Sequence, residues 1–207
     1  MEIKRLVLGL VRTNCYIVYT EDTKKAVIID PAADSRRITD ELSALGLIPE
    51  AILLTHGHFD HMLAADSLRN GYQIPVCVHK ADAELLKHPD LNCSEQFLHM
   101  SYAISADEEL EHDQCLRFLN GALTVISTPG HTEGSCCYYA KNENILFSGD
   151  TLFQGSVGRT DLPTGRAAQL TNSIRENLFV LPEDTLVLSG HGDQTTIGEE
   201  KQYNPYV

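Results

Sequence analysis

Ala51-Ile52-Leu53-Leu54-Thr55-His56-Gly57-His58-Phe59-Asp60-His61 runs from four apolar residues straight into three imidazoles and a carboxylate. An uninterrupted apolar run of this length suits a strand covered on both faces. Beyond it, residues two apart in an extended chain face the same side. His56, His58 and Asp60 can therefore look into one cleft, and His61 joins them as the chain turns into the next helix. Imidazole and carboxylate together suit Zn, Fe or Mn, whereas Ca and Mg prefer oxygen donors alone.

The same arrangement recurs three times further along. Residues 124–127 lead into Thr128-Pro129-Gly130-His131, 145–147 into Ser148-Gly149-Asp150, and 186–188 into Ser189-Gly190-His191. In each case a glycine beside the donor permits a sharp turn or close backbone approach at the strand end. Four loops at sheet edges are thus expected to bring His56, His58, Asp60, His61, His131, Asp150 and His191 to one place, a donor set large enough for two metal ions. Five of the nine histidines belong to this set. All five follow buried strands, where an unpaired imidazole is expensive to desolvate. The competing structural reading, a satisfied core or surface histidine, is assigned to His79, His88, His99 and His112.

Outward from these loops the pattern is mixed α/β. Residues 3–8, 15–20 and 26–29 are rich in β-branched and aliphatic side chains and predict strands. A helix follows, capped by Asp34 or Ser35, apolar at Ile38, Leu42 and Leu45, and ended by Gly46. Helices are predicted over 63–68, 81–87 and 166–178, and strands over 75–78, 116–119, 123–127, 135–140, 145–148 and 186–188, with an Asn120-Gly121 hairpin turn. Segment 88–110 has no clear period and is read as an irregular excursion with one short helix, either a surface loop or a lid lining the substrate site. Two groups of strands, each with helices, predict two sheets packed face to face with helices outside.

With 207 residues, 43% of them hydrophobic, the chain can bury a sizeable core and is read as one domain over 1–207. A formal net charge of −13 argues against a nucleic-acid partner, since phosphate backbones are held by clustered Lys and Arg. The apolar run at 6–11 is too short for a membrane span and lacks an export-cleavage pattern, so no membrane partner is expected. Six cysteines with no CxxC pair are read as reduced thiols of a cytoplasmic protein, with Cys136 and Cys137 on opposite faces of one strand.

His56-x-His58-x-Asp60-His61 followed by His131, Asp150 and His191 resembles the complete ligand set of the metallo-β-lactamase superfamily, in family order and over nearly the whole chain. The resemblance implies a four-layer αββα sandwich with the site along one edge of the sheets. It also implies two divalent metal ions, Zn²⁺ foremost with Fe or Mn as alternatives. His56, His58 and His131 would hold one, Asp60, His61 and His191 the other, and Asp150 would bridge. Ser148-Gly149-Asp150-Thr151-Leu152-Phe153 and Gly158-Arg159-Thr160-Asp161 resemble the glyoxalase II and persulfide dioxygenase branch, and the tail from His191 to Pro205 resembles short stand-alone glyoxalase II-type hydrolases.

These resemblances imply a hydrolase acting on a small-molecule thioester of the S-lactoylglutathione type, with Asp60 as the catalytic carboxylate. The helical domain that supplies glutathione contacts in full-length hydroxyacylglutathione hydrolases is expected to be absent after Val207. The rival implication is a mononuclear-iron persulfide dioxygenase acting on glutathione persulfide and using His56, His131 and Asp150. Against it stands Gly192, where those dioxygenases typically carry Asp. Arg159 and Asp161 are read as an ion pair that fixes their loop, and Phe59 as part of the cleft mouth.

Overall fold

The computed structural model describes residues 1–207. The first sheet has six strands in sequential order: β1 (Glu2–Leu8), β2 (Thr13–Tyr19), β3 (Lys25–Ile29), β4 (Ile48–Leu53), β5 (Val76–His79) and β6 (Glu108–Leu110). β1 to β3 are antiparallel neighbours, and β3 to β6 run parallel. The remaining strands are β7 (Thr124–Ser127), β8 (Cys136–Ala140), β9 (Ile145–Gly149), the small hairpin β10 (Leu152–Phe153) and β11 (Ser156–Val157), β12 (Leu186–Ser189) and β13 (Thr195–Thr196). The second sheet orders five of them as β13-β12-β9-β8-β7.

The period-2 alternation of the strands divides the apolar side chains among three cores. In β2, Cys15, Ile17 and Tyr19 face the helices outside the first sheet, while Tyr16 and Val18 face the second sheet. In β8, Cys136, Tyr138 and Ala140 face the first sheet and Cys137 and Tyr139 face outward. The outer layer on the first sheet is built from α1 (Ser35–Leu45), α2 (Phe59–Met62) and α3 (Ala65–Tyr72), whose Ile38, Leu42, Met62 and Leu68 are buried. The short helix α4 (Ser94–Leu98) follows. The layer on the second sheet is α5 (Ala167–Ser173), continued by a π-helical turn (Ile174–Leu178), with α6 (Ile197–Tyr203). The result is the expected αββα sandwich. No helix is long and apolar enough to cross a membrane.

Several expectations need correction. Residues 81–87 form two 3₁₀ turns, Lys80–Asp82 and Leu85–Lys87, rather than one helix. The Asp82 carboxylate turns inward to accept bonds from two other loops, at Gly57 and Gly134, which breaks the helical face. Residues 116–119 form no strand. Cys115 makes one bridge to Thr124, and Phe118–Gly121 then coils tightly with Leu119 and Asn120 in the left-handed region. There the burial of Phe118 and Leu119 in the inter-sheet core outweighs extended pairing. Segment 88–110 contains its one short helix but also β6, an edge strand whose acidic Glu108 and Glu109 disguised it. α6 was also unforeseen, although Thr196 accepts from the Glu199 amide as in a capping box. All six cysteines are unpaired, and Cys115 alone is exposed.

Candidate metal centre

Strand direction explains why the donors meet. β4 and β3 are parallel, β9 and β12 are parallel, and β7 runs with β9 because each is antiparallel to β8. The carboxyl ends of β3, β4, β7, β9 and β12 therefore share one edge of the sandwich, the usual place for a site in parallel sheets. Bonds between the sheets lock that edge. Tyr138 donates its hydroxyl to the Leu54 carbonyl at 2.6 Å, Cys136 donates its amide to Thr55 at 2.8 Å, and the Asn14 amide donates to Gly190 at 2.7 Å.

All seven predicted donors converge. His56 Nε2 and His131 Nε2 lie 3.2 Å apart, and His58 Nδ1 lies 2.9 Å from His131 Nε2. On the other side, Asp60 Oδ2 lies 3.3 Å from His191 Nε2 and 3.5 Å from His61 Nε2. Asp150 sits between the two groups. Its Oδ2 is 3.7 Å from His131 Nε2 and 3.5 Å from His191 Nε2, and its Oδ1 is 3.4 Å from His61 Nε2. His56, His58, His61 and His131 are buried, while His191, Asp60 and Asp150 retain part of their exposure toward a cleft. His79 is bound to Ser127 Oγ at 3.0 Å, and His88, His99 and His112 are exposed, so none of these joins the cluster.

Two of the nitrogens facing the cluster carry lone pairs. His131 Nδ1 donates to the Arg159 carbonyl at 2.6 Å, which leaves Nε2 unprotonated in the neutral ring. Thr55 Oγ1 spends its proton on Asp30 Oδ2 at 2.7 Å and so accepts from His56 Nδ1 at 3.1 Å, which leaves His56 Nε2 unprotonated as well. Two lone pairs 3.2 Å apart repel, and a cation lying against both would remove that repulsion. His58 Nε2 is buried without any hydrogen-bond partner, a costly state that a cation would relieve. These residues fit metal ions.

Electrostatics separate the two groups. Burial, with the neighbouring imidazoles, holds His56 well below its ordinary pKa and lowers His58 to about 3. Burial also opposes protonation of His61, but the carboxylates of Asp60, Asp30 and Asp150 outweigh it and hold His61 well above the ordinary value. Burial likewise opposes the charge on His191, yet bonds to Asp150 and Asp60 raise it to about 9. Asp60 and Asp150 would be raised by burial alone, and the charge of His61 together with bonds from His191 keeps both below the usual carboxylate range.

Supporting residues escaped the sequence reading. Asp30, at the end of β3, accepts from the Thr55 amide at 2.8 Å and lies 2.9 Å from His61 Nδ1. Its signal was legible: the apolar run 26–29 ends in Asp30-Pro31 in the way the donor strands end in theirs, but without a glycine. Thr13 Oγ1 donates to Asp60 Oδ2 at 2.9 Å. Buried Asp82 accepts from the amides of Gly57 and Gly134 and from Thr132 Oγ1 at 2.7–2.9 Å, tying the first donor loop to the one carrying His131. Gly190 is required by proximity, since a Cβ there would sit 2.3 Å from Asp150 Oδ1 and 2.8 Å from His61 Cε1.

The model of the family described as "Metallo-beta-lactamase superfamily" matches residues 8–191. The chain belongs to the metallo-β-lactamase superfamily. A Bacillus subtilis (strain 168) protein described as "Probable metallo-hydrolase YqgX" is 40% identical over 100% of this chain and 98% of its own length. "Hydroxyacylglutathione hydrolase GloC" of Haemophilus influenzae (strain ATCC 51907 / DSM 11121 / KW20 / Rd) is 32% identical over 100% and 98%. Among solved structures, the BLEG-1 B3 metallo-β-lactamase superposes with a TM-score of 0.94 at 42% identity, covering 99% of both chains. TTHA1623 in a di-iron-bound form does so with a TM-score of 0.88 at 34% identity, covering 99% of this chain and 100% of that one. With its His and Asp cluster, this member of the metallo-β-lactamase superfamily is a metallo-hydrolase.

The same cluster forms one wall of a cavity of about 380 Å³. Arg159 binds Asp161 through Nε and Nη2, both at 2.7 Å, while its side chain also borders the cavity. Segment 88–110 reaches the cavity through Cys93 and Phe97, and Phe59 lines it too.

Proposed function

We propose that the protein is a dinuclear-metal hydrolase that cleaves a thioester of the S-lactoylglutathione type. His56, His58 and His131 would hold one ion and Asp60, His61 and His191 the other, with Asp150 shared. When bound, the metal pair supplies the positive charge that makes hydroxide available near neutral pH and polarises the scissile carbonyl. The observation that carries this reading is the meeting of all seven donors beside an open cavity, with lone pairs opposed at 3.2 Å. The likeness to GloC supports the choice of thioester, and Zn²⁺ or Fe suits the donors, the di-iron form of TTHA1623 favouring iron as a candidate.

The chain's own residues take definite parts. Asp60, ionised and fixed by Thr13, borders the cavity and orients the attacking water by accepting its hydrogen bond. Oxygen adds to the carbonyl carbon, the C–S bond breaks, and the thiolate leaves with its electron pair as the acyl group becomes a carboxylate. A thiolate is a good leaving group and needs no strong acid. Asp30 and the Arg159 carbonyl keep the imidazoles oriented throughout.

The test is metal-loaded protein assayed in parallel for S-lactoylglutathione hydrolysis, hydrolysis of a β-lactam, and oxygen uptake with glutathione persulfide. Thioester cleavage with two ions per chain is expected. Oxygen uptake with one iron would replace this reading by the dioxygenase, and β-lactam cleavage alone would replace the thioester.

A further inference from the structure

The cavity beside the donors has walls of a definite character. Val11, Phe59, Phe97, Phe153, Val157 and Leu162 line it, drawn from the β1–β2 turn, α2, α4, the β10–β11 hairpin and the loop that follows. Phe59 and Phe97 lie with ring centroids 5.8 Å apart and planes 22° from parallel, forming a flat side. The Phe153 ring stands 6.2 Å from the His191 ring, so the apolar wall begins immediately beside the donors. Phe97 and Val11 remain 45% and 47% exposed at the mouth. Apolar surface left open around a polar floor is what an apolar ligand would bury.

The charges are equally telling. Apart from histidines, Arg159 is the cavity's one basic residue, and the Nε–Nη2 edge of its guanidinium is taken by Asp161. The charge of −13 on the whole chain further opposes an anionic ligand. Glutathione brings two carboxylates, and against them this wall sets only the Nη1 side of one guanidinium already paired with Asp161.

Resting on the thioesterase reading above, we infer that the site selects its substrate by an apolar acyl group and does not recognise the thiol carrier. At the ~30 Å³ a water occupies, about 380 Å³ holds roughly a dozen non-hydrogen atoms. That is room for an acyl chain of roughly eight carbons with its carbonyl and sulfur, the rest of the carrier lying outside.

Four compounds test this on metal-loaded protein: the lactoyl and octanoyl thioesters of glutathione and of the uncharged thiol N-acetylcysteamine. Octanoyl is expected to exceed lactoyl in kcat/KM by at least tenfold on either carrier, with less than a threefold change between carriers. Along a saturated series from two to eight carbons, kcat/KM should rise about 4-fold per methylene, the ~0.8 kcal/mol of a buried CH₂. Phe97→Ala should lower the octanoyl-to-acetyl ratio, which a general loss of folded protein would not change. Calorimetry with the uncleavable S-octyl thioether should show binding with a negative heat-capacity change. Fastest cleavage of lactoylglutathione, with more than a tenfold loss on removing glutathione, would overturn the inference and leave the thioesterase reading standing. Cleavage of none of the four, with the thioether still bound, would overturn the thioesterase reading and uphold apolar recognition.

Discussion

Thr55 Oγ1 donates to Asp30 Oδ2 at 2.7 Å, and this bond decides which nitrogen of His56 carries the proton, leaving Nε2 free to face the cluster as a lone pair. A carboxylate outside the donor set thereby sets the basicity and orientation of a donor, and the same oxygen lies 2.9 Å from His61 Nδ1.

Asp30→Asn should weaken metal binding by about 10- to 100-fold, the usual effect of removing such an outer partner. Competition against a chelator measures it, and circular dichroism should show the secondary structure retained. Unchanged affinity would mean that Asp30 serves packing alone.

Asp60→Ala removes a donor and the group proposed to orient water. Turnover should fall by on the order of 10²-fold or more, while the fold persists, since Asp60 is bonded only within the site. Near-normal thioester hydrolysis by the purified variant would refute the role.

Metal loading should release protons unequally. Burial leaves His56 and His58 neutral at pH 7, so no proton has to leave them. His61 is held well above its ordinary pKa and His191 at about 9, so both are protonated at pH 7 and must discharge before they can ligate. Affinity at the Asp60/His61/His191 position should therefore fall more steeply on acidification than at the His56/His58/His131 position. Indicator-monitored titration of metal-free protein in weak buffer reads this directly; equal release for the first and second ion would contradict it.

Glu200 of α6 is buried and accepts from Thr195 Oγ1 at 2.6 Å, Asn204 Nδ2 at 2.7 Å and the Gly155 amide at 2.9 Å, while Asn204 also donates to the Ser156 carbonyl. The C-terminal helix thus holds the hairpin that carries Phe153 and Val157 into the cavity. Glu200→Ala should lower unfolding free energy by about 3 kcal/mol, as buried donors are orphaned, and raise KM more than it lowers kcat. Denaturant unfolding and steady-state kinetics check both.

The donor loops were legible because each interrupts an apolar strand that must be buried on both faces, which leaves a polar residue at its end in need of a partner. β6 and α6 were not, since neither carries a full apolar stripe: α6 buries only Ile197 and Glu200. Residues 116–119 read as a strand because three of the four are apolar; Leu116, Phe118 and Leu119 are buried, but the turn at Leu119 and Asn120 replaces an extended backbone. Asp30 and Asp82 act through loops 25 residues or more away in the chain, and periodicity carries no information about contacts at that separation.

The most direct measurement is metal content and position together: elemental analysis of purified protein, and anomalous diffraction from its crystals. The account predicts two ions per chain, one against His56, His58 and His131, the other against Asp60, His61 and His191, with Asp150 touching both. A single ion that leaves Asp60 and His191 free, or thioester hydrolysis that survives exhaustive metal removal, would contradict it.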